Sequence, residues 1–494
     1  MDYRVLIIFI FAFSMVKCQD MSKKDTSNET KGAVVKDKEK QTENAPATKL
    51  PSLCDICDYT GHDIKCHEKN LTSHFEDSQW PNKPINVMSF EGNKLIHLKP
   101  FPKAVIKTLI LRKNEITKID NSAFKQLINL TELDLSSNEL TTENLPPQVF
   151  EGKFSPDAYE PLENLTVLNL ANNMLHSLHQ DLFEHMTNLK VLNLSGNLFT
   201  KIDSRTSIAI SSLIFLEELD LSHCGLSVLP SIQFYTSRHL KKLTLNSNMF
   251  TVPPAALEEA KSLEYLYMDE NPIKGLPRNA FPPMPKLKEL SLCCMPHLST
   301  IEAHAFAGLS ALEHLRVQNC PELQEIDEFA LLFETEDAEW PPLKKLELSD
   351  NALRYLPMQL VSRWDNLEEL DLINNKWSCD CDNQFLIGIL LPQYGKKLMG
   401  DNLSELTCAA PPEHKGRNMT SLSHRKLRCL DLYGSRPEKD ATILIGVLVG
   451  LLFAIPVCLT IVVLWRRGFF FCGSEGPASF SRAFYKRAPN DGEF

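Results

Sequence analysis

Residues 130–140 read LTELDLSSNEL, and the same spacing of leucines and one asparagine recurs through the middle of the chain. The pattern is L-x-x-L-x-L-x-x-N-x-L, and it is obeyed again at 165–175, 189–199, 240–250, 343–353 and 367–377. Weaker copies fill the gaps, so that twelve residues occupy the asparagine position: 93, 114, 138, 173, 197, 224, 248, 271, 295, 320, 351 and 375. Most of them are 23–25 residues apart, and such a period predicts a solenoid of stacked repeats.

The repeat has a direct physical reading. Each L-x-x-L-x-L segment should form one short strand on the concave side, with its leucines pointing inward. The asparagine should hydrogen-bond backbone groups of the neighbouring turn that stacking would otherwise bury unsatisfied. A phenylalanine recurs on the far side and should form a second inward row: Phe124, Phe183, Phe281 and Phe306. We expect these residues to be structural.

The two ends of the chain predict its topology. Residues 1–18 combine an arginine, an apolar run and a small-residue cleavage site, as in a secretory signal peptide. Residues 442–465 carry no charge and are numerous enough to cross a bilayer, and Arg466 and Arg467 follow at once on what should be the cytoplasmic side. We therefore expect a type I plasma-membrane protein with a cytoplasmic tail at 466–494. Residues 19–50 are polar and expected to be disordered.

From signal to tail, the chain resembles single-span cell-surface proteins with leucine-rich repeats, of the chaoptin and Toll-ectodomain kind. The resemblance implies an α/β leucine-rich-repeat solenoid, a curved horseshoe of about 12 repeats with disulfide-capped ends, plus one transmembrane helix. It places the repeats at 85–378, an N-terminal cysteine cap at 51–84, a C-terminal cysteine cap at 379–432 and a juxtamembrane stalk at 433–441.

The C-terminal cysteine cap matches the cysteine spacing of the family more closely than the N-terminal cap does. The C-terminal spacing matches the family flank, which implies two bonds, Cys379–Cys408 and Cys381–Cys429. In the N-terminal cap Tyr59 stands where the third cysteine would be. When the family pairing is applied to this chain, Cys57 is bonded to Cys66 and Cys54 is left without its partner. A zinc site at Cys54 and Cys57 would need a second ligand pair, which is missing nearby.

Cys293 and Cys294 lie side by side in repeat 9, and Cys320 occupies the asparagine position of repeat 10. Neighbouring strands lie about 4.8 Å apart, and a disulfide needs Cα atoms within roughly 4.4–6.8 Å. A Cys294–Cys320 bond is thus feasible. The alternatives are a Cys293–Cys320 bond, a vicinal Cys293–Cys294 bond and free, packed thiols.

The motifs point to binding and away from catalysis. The sequence has no H-E-x-x-H, no G-x-S-x-G and no glycine loop that would hold a phosphate, so we expect neither an enzyme nor a cofactor. Its net charge of −11 argues against a nucleic-acid partner. A solenoid offers a large curved surface, which favours an extracellular or cell-surface protein as ligand.

Side chains between the leucines should project from the concave strands. Tyrosine and arginine, which are enriched at protein interfaces, appear there in repeats 8 and 10. The candidate binding patch is Lys242, Tyr265, Tyr267, Asp269, His314 and Arg316. The alternative is an ordinary solvated face.

Several residues are candidates for modification or pairing. Seven sequons predict N-glycans: Asn28, Asn70, Asn129, Asn164, Asn193, Asn402 and Asn418. Cys472 is a candidate for palmitoylation, an unmodified thiol being the alternative. Gly446 and Gly450 form a G-x-x-x-G that would let two membrane helices pair as a homodimer.

Two functions fit this organisation. The first is cell adhesion or cell–cell recognition through the ectodomain. The second is a ligand-binding receptor or co-receptor, including an immune one, that signals through recruited partners. The 29-residue tail is too short for a kinase or a Toll-type signalling domain, which favours adhesion.

Overall fold

The computed structural model describes residues 52–155, 158–160, 162–333, 339–361, 366–429 and 437–467. The predictions for the signal peptide at 1–18, the polar segment at 19–50, Asn28, Cys472 and the tail beyond residue 467 lie outside these residues. So do the side chain of Cys54 and the first part of the predicted stalk.

The described residues form twenty-one β-strands and four α-helices. Strands β1 to β21 are, in chain order, Asp58–Thr60, Asp63–Lys65, Ile85–Ser89, His97–Leu98, Ile106–Ile110, Lys118–Ile119, Glu132–Asp134, Lys153–Ser155, Ala158–Glu160, Val167–Asn169, Val191–Asn193, Glu218–Asp220, Lys242–Thr244, Tyr265–Tyr267, Gly275–Leu276, Glu289–Ser291, Thr300–Ile301, His314–Arg316, Glu325–Ile326, Lys345–Glu347 and Glu369–Asp371. Helices α1 to α4 are Leu53–Ile56, Ser204–Ser211, Lys396–Met399 and Pro437–Arg466.

Within the described ranges, fourteen strands join in one sheet, in the order β1-β2-β3-β5-β7-β10-β11-β12-β13-β14-β16-β18-β20-β21. β1 and β2 form an antiparallel hairpin, and every later neighbour is parallel. Central leucines such as Leu133, Leu168 and Leu192 stand in register and are buried, because alternate residues of a strand face opposite sides. The predicted solenoid of about twelve repeats is confirmed.

The asparagine position works as a buried hydrogen-bond ladder. Nδ2 of Asn197 donates to the carbonyls of Leu170 (2.9 Å) and Leu194 (2.8 Å), and its Oδ1 accepts from the Leu175 N–H (3.1 Å). The side chain thereby satisfies backbone groups of two successive turns. Nine of the twelve positions hold asparagine, and the other three hold Cys224, Met295 and Cys320, all buried.

Each ladder position is preceded by a corner residue with positive φ. The twelve corner residues are Gly92, Lys113, Ser137, Asn172, Gly196, His223, Ser247, Glu270, Cys294, Asn319, Asp350 and Asn374. Ten of these are not glycine, although this conformation is uncommon for other residues. The recurring left-handed corner turns the chain out of the sheet at the same point in every repeat.

The predicted phenylalanine row is present. Phe124, Phe183, Phe281 and Phe306 are buried, and rings of adjacent repeats stack, as do Phe281 and Phe306 with centroids 5.8 Å apart. The row fills the space behind the leucines and completes the core of each turn.

Disulfide bonds lie in both caps. Cys57 is bonded to Cys66 across the β1–β2 hairpin, and Cys379 is bonded to Cys408. Residues Asp380–Asp382 and the described residues from Lys426 onward belong to a second unit, in which Cys381 is bonded to Cys429. These are the three pairs that the family resemblance implied.

The predicted Cys294–Cys320 bond is wrong, since both residues are free thiols. Cys294 occupies the corner of repeat 9 with a φ of 57°, and its side chain is exposed. Cys320 lies in the ladder, where its buried thiol donates to the carbonyls of Leu292 (3.5 Å) and Gln318 (3.3 Å). The sulfur of Cys294 at the corner therefore faces solvent, whereas the sulfur of Cys320 in the ladder lies in the core. Cys293 is also a free thiol, so neither a Cys293–Cys320 bond nor a vicinal Cys293–Cys294 bond is present.

In the second unit, α4 contains the segment predicted to cross the membrane. Residues Ala441–Arg466 are apolar enough and, at 26 residues, long enough to do so by length and composition. The predicted span at 442–465 lies inside this helix.

Candidate protein-binding surface

The sheet brings four of the predicted patch residues together. Tyr265 in β14 pairs in register with Glu289 in β16, which pairs with His314 in β18. Two register positions further on, Tyr267 and Arg316 stand on either side of Ser291. Because neighbouring strands are about 4.8 Å apart, these side chains form one continuous area. We call Tyr265, Tyr267, Glu289, His314 and Arg316 the Tyr–Arg surface.

Glu289 lies at the centre of this surface. Its carboxylate accepts a hydrogen bond from Tyr267 and lies 3.7 Å from Nδ1 of His314 and 3.9 Å from Nη1 of Arg316. Arg316 also donates through Nε to Glu347 of β20. Both carboxylates are only 16–18% exposed, whereas Arg316 is 39% exposed. The network holds the arginine between two fixed acids while part of it still faces solvent.

The protonation states follow from these contacts. Burial, followed by the charge of Glu289, raises the pKa of Tyr267 to about 12, so its hydroxyl remains a neutral donor at physiological pH. The hydrogen bond to Glu347 raises the pKa of Arg316 above its already high value. The surface therefore presents half-exposed tyrosine rings and a charged guanidinium in a preset arrangement.

The other two predicted patch residues, Asp269 and Lys242, also make contacts within the chain. The carboxylate of Asp269 accepts from Ser291 Oγ (2.6 Å) and from the backbone N–H of Cys293 (2.7 Å), so it ties repeat 8 to repeat 9. Nζ of Lys242 lies 3.4 Å from Glu218 on its other side. Asp269 thus supports the surface, and Lys242 borders it.

Glu289 and Glu347 were not among the predicted patch residues. Both occupy outward positions of their strands, the same positions that selected Tyr265 and Arg316. The available signal was an acid one repeat away, Glu347 at the position equivalent to Arg316 and Glu289 at the position equivalent to His314. Repeats 10 and 11 are 31 residues apart, and this spacing concealed the pairing of Arg316 with Glu347.

The described sequons differ in accessibility. Asn193 lies in β11 on the same face of the sheet, two strands before β13, where its Oδ1 accepts from the Ser195 N–H (2.9 Å). Asn418 is half-buried, and its Nδ2 donates to the Ser404 carbonyl (2.8 Å). The exposed sequon asparagines are Asn70, Asn129, Asn164 and Asn402.

Among solved structures, the fold aligns with a chain from an octameric complex of latrophilin 3, Unc5D and FLRT2. The alignment covers 75% of this chain and 97% of that chain, with 21% identity and a TM-score of 0.42.

Sequence comparison finds the repeats directly. The family model described as leucine rich repeat matches residues 105–152, 163–217, 214–273 and 261–321. Mouse podocan is 30% identical over 228 residues, covering 44% of this chain and 34% of podocan. Mouse trophoblast glycoprotein is 26% identical, covering 51% of this chain and 57% of that protein.

Chicken tsukushi is 26% identical over 305 residues, covering 62% of this chain and 70% of tsukushi. The chain spans about a third of the length of podocan and just over half of that of trophoblast glycoprotein. Over the matched residues the chain therefore carries the leucine-rich repeats that this family model describes, and it is similar to extracellular proteins built from the same repeats.

Proposed function

We propose that this chain is a type I plasma-membrane protein whose ectodomain binds a protein on another cell, in adhesion or cell–cell recognition. The observation that carries the proposal is the Tyr–Arg surface, in which Tyr267 and Arg316, on the two strands that flank β16, share the carboxylate of Glu289. The proposal assigns the chain no enzymatic step and no cofactor.

Three properties of the surface suit a protein partner. Tyrosine and arginine are the residue types that most often dominate binding energy at interfaces. Their geometry is set before a partner arrives, which lowers the entropy lost on binding. The strands beneath them belong to a continuous parallel sheet, so the surface sits on a rigid support.

A glycan on Asn193 would restrict where the partner sits. Asn193 shares the sheet face with the Tyr–Arg surface and precedes β13 by two strands, about 10 Å. A sugar there would hinder a partner over the strands next to β11. It would therefore direct the partner to the later strands β14 to β20, or away from this face of the sheet altogether.

The test is cell aggregation by cells that express the full chain. The Tyr265→Ala/Tyr267→Ala variant should lose clustering, because it removes the two rings of the surface. Tyr235→Ala is the matched control, since Tyr235 is 65% exposed and lies outside the Tyr–Arg surface. Surface expression of all three proteins is measured to exclude misfolding.

Two outcomes would change the proposal. Clustering that survives the double tyrosine variant removes the Tyr–Arg surface from adhesion. Absence of clustering by the unmodified chain, together with capture of a soluble protein that the tyrosine variant fails to capture, replaces adhesion by the receptor or co-receptor function.

A further inference from the structure

A carboxylate borders the Tyr–Arg surface on the side of the later repeats. Asp371 is the third residue of β21 and stands in register with Glu347 of β20, which in turn is in register with Arg316 of β18. Because neighbouring strands are about 4.8 Å apart, Asp371 lies about 10 Å beyond Arg316. Tyr267, Ser291, Arg316, Glu347 and Asp371 therefore form one row of outward side chains.

Neutral groups hold this carboxylate in place. Its Oδ1 accepts from the backbone N–H of Ile373 (3.3 Å), and its Oδ2 accepts from Nε2 of Gln318 (3.3 Å). The same Nε2 donates to Oγ of Ser349 (2.8 Å), so Gln318 in repeat 10 reaches across repeat 11 to Asp371 in repeat 12. Asp371 is half-buried, and it forms no ion pair with the residues that the structure describes. Its position is therefore set, while its charge has no cation beside it.

The cations of the same strands are paired with other carboxylates. Arg316 donates to Glu347, and Nζ of Lys345 lies 2.7 Å from Glu369. Outward positions of β16, β18, β20 and β21 hold two such cations against four carboxylates, which are Glu289, Glu347, Glu369 and Asp371. This side of the Tyr–Arg surface thus carries more negative than positive charge.

A partner on the Tyr–Arg surface would reach this margin. A standard interface takes roughly 800 Å² from each partner, which is a patch roughly 30 Å across. The strands from β14 to β18 span only about 10 Å, so such a contact extends over neighbouring strands. A glycan on Asn193 would hinder extension toward β11. The contact would then extend over β20 and β21 and cover Asp371.

We propose that the protein partner of the Tyr–Arg surface places a lysine or arginine against Asp371. This inference rests on the proposed function, because it assumes that the Tyr–Arg surface binds a protein. A carboxylate that is covered without a cation loses its water and gains no compensating contact, so Asp371 selects a partner that is basic at this margin. Charges at the rim of an interface act mainly on the association rate and on its salt dependence.

The test uses the full-length chain, purified in detergent and immobilised, and two kinds of probe bead. The first bead carries a helical peptide of about 13 residues, about 20 Å long, with leucines at one end for the tyrosine rings and lysines at the other for Asp371. The row from Tyr267 to Asp371 measures about 19 Å, which this peptide spans. The second bead carries the same peptide with glutamates in place of the lysines. We expect the chain to retain lysine beads at least about tenfold better than glutamate beads, and this difference should shrink as the salt concentration rises.

Two substitutions test the residue itself. Asp371→Lys should reduce the retention of lysine beads at least about tenfold, because like charges repel, and Arg316 shows that a cation fits this position of a strand. Asp371→Asn should reduce it about two- to fivefold, as expected for the loss of one exposed ion pair. Asn169 and Asn193 hold the equivalent position in repeats 4 and 5, so Asp371→Asn carries the test if the lysine variant does not fold.

The matched control is Glu132→Lys, which should leave retention unchanged. It makes the same charge reversal at a half-buried, outward carboxylate of β7, five strands before β14 and beyond Asn193. Circular dichroism of each variant shows whether it folds.

The outcomes distinguish this inference from the proposed function. Equal retention of lysine beads by the Asp371→Lys and Glu132→Lys chains overturns the inference, as does equal retention of both beads by the unmodified chain. Cell clustering that is lost with Tyr265→Ala/Tyr267→Ala but kept with Asp371→Lys leaves adhesion in place and overturns the basic partner. Retention that depends on Asp371, in a chain whose cells do not cluster, supports the basic partner and removes adhesion.

Discussion

Cys294 and Cys320 illustrate how one backbone angle decides the chemistry of a side chain. Cys294 has a φ of 57° and an exposed sulfur, whereas Cys320 lies in the ladder and is fully buried. Burial raises the pKa of Cys320 to about 12. Burial likewise raises the pKa of the half-buried Cys293 to about 11. Thiols whose pKa lies so far above neutrality are almost entirely protonated and react slowly.

Alkylation of the native protein should therefore rank these thiols. With iodoacetamide at pH 7.5, without reductant, we expect Cys294 to be modified first and Cys293 much more slowly. Cys224 and Cys320 should react only after denaturation, because both are buried. Peptide mass spectrometry measures the order, and the disulfide-bonded Cys57 is the unreactive control. Protection of Cys294 equal to that of Cys320 would contradict the exposed corner.

Single-residue predictions succeeded where the repeat alone decides the position. The ladder residue and the corner before it can be numbered from the leucines, and this numbering placed Cys294 before the ladder and Met295 in it. Feasible strand spacing suggested the Cys294–Cys320 bond, but spacing says nothing of the φ that turns Cys294 outward. Side-chain direction at a left-handed corner depends on geometry that leucine periodicity does not encode.

Among the elements, the edge of the main sheet where its strands begin carries an ionic ladder, since lysine and glutamate alternate from repeat to repeat at the position after the first leucine from Lys190 to Glu368. Nζ of Lys190 lies 2.9 Å and Nζ of Lys241 lies 2.7 Å from the two carboxylate oxygens of Glu217. The hydrogen bonds from Lys241 and Lys190 lower the pKa of Glu217 to about 2. These ion pairs link adjacent turns at this edge of the sheet, outside the leucine core. Glu217 is 29% exposed, so solvent weakens these contacts.

Replacing Glu217 with glutamine should lower stability slightly at neutral pH. The folded pKa of Glu217 lies below its unfolded value, so its contribution is complete above about pH 4.5 and disappears as the pH falls toward 2. We expect the melting temperature to fall by no more than about 2 °C at pH 7, with less difference at pH 3 or in 1 M salt. Thermal unfolding followed by circular dichroism measures both effects.

The control for this change is Glu115→Gln, which removes an exposed carboxylate from another edge position. It should leave the melting temperature unchanged at both pH values. A difference for Glu217→Gln that grows as the pH falls would show that the paired carboxylate is not the cause.

Strands could be predicted from the leucines, but contacts between strands could not. L-x-x-L-x-L located β7, β10 and β11 because each begins two residues after the first leucine. The contacts of Glu289 and Glu347 with Arg316 depend on the register of β16, β18 and β20. The leucine pattern does not give these contacts, because turns of unequal length separate the three strands. Leucine periodicity predicts where a strand lies, whereas the side chains that it contacts depend on how the repeats stack.

At the scale of the whole molecule, the proposed topology places every described sequon on one side of the membrane. Asn129 and Asn164 hold equivalent places in repeats 3 and 4 and are exposed. Asn188 holds the same place in repeat 5 and is exposed as well, but it lies outside a sequon. These three residues therefore share a local environment and differ in whether glycosylation can occur.

Glycosylation then reports the orientation of the full-length chain. Treatment of the cell-expressed protein with peptide N-glycosidase should increase its mobility on a gel. Asn129→Gln and Asn164→Gln should each remove one glycan, and Asn188→Gln, the matched control, should remove none. Unchanged mobility after the enzyme would place the repeats on the cytoplasmic side.

The ladder is interrupted at Met295 and Cys320, and this gap matters once the chain is pulled. These residues leave two consecutive junctions, between repeats 8 and 10, without an amide side chain, although the backbone hydrogen bonds continue. Each repeat of a solenoid touches only its neighbours, so the remaining contacts must hold these two junctions under tension. They include the second parallel sheet of β15, β17 and β19 and the bonds from Asp269 to repeat 9. The Tyr–Arg surface spans the same junctions from β14 to β18, so a partner bound there would add contacts between the same repeats and reinforce them under load.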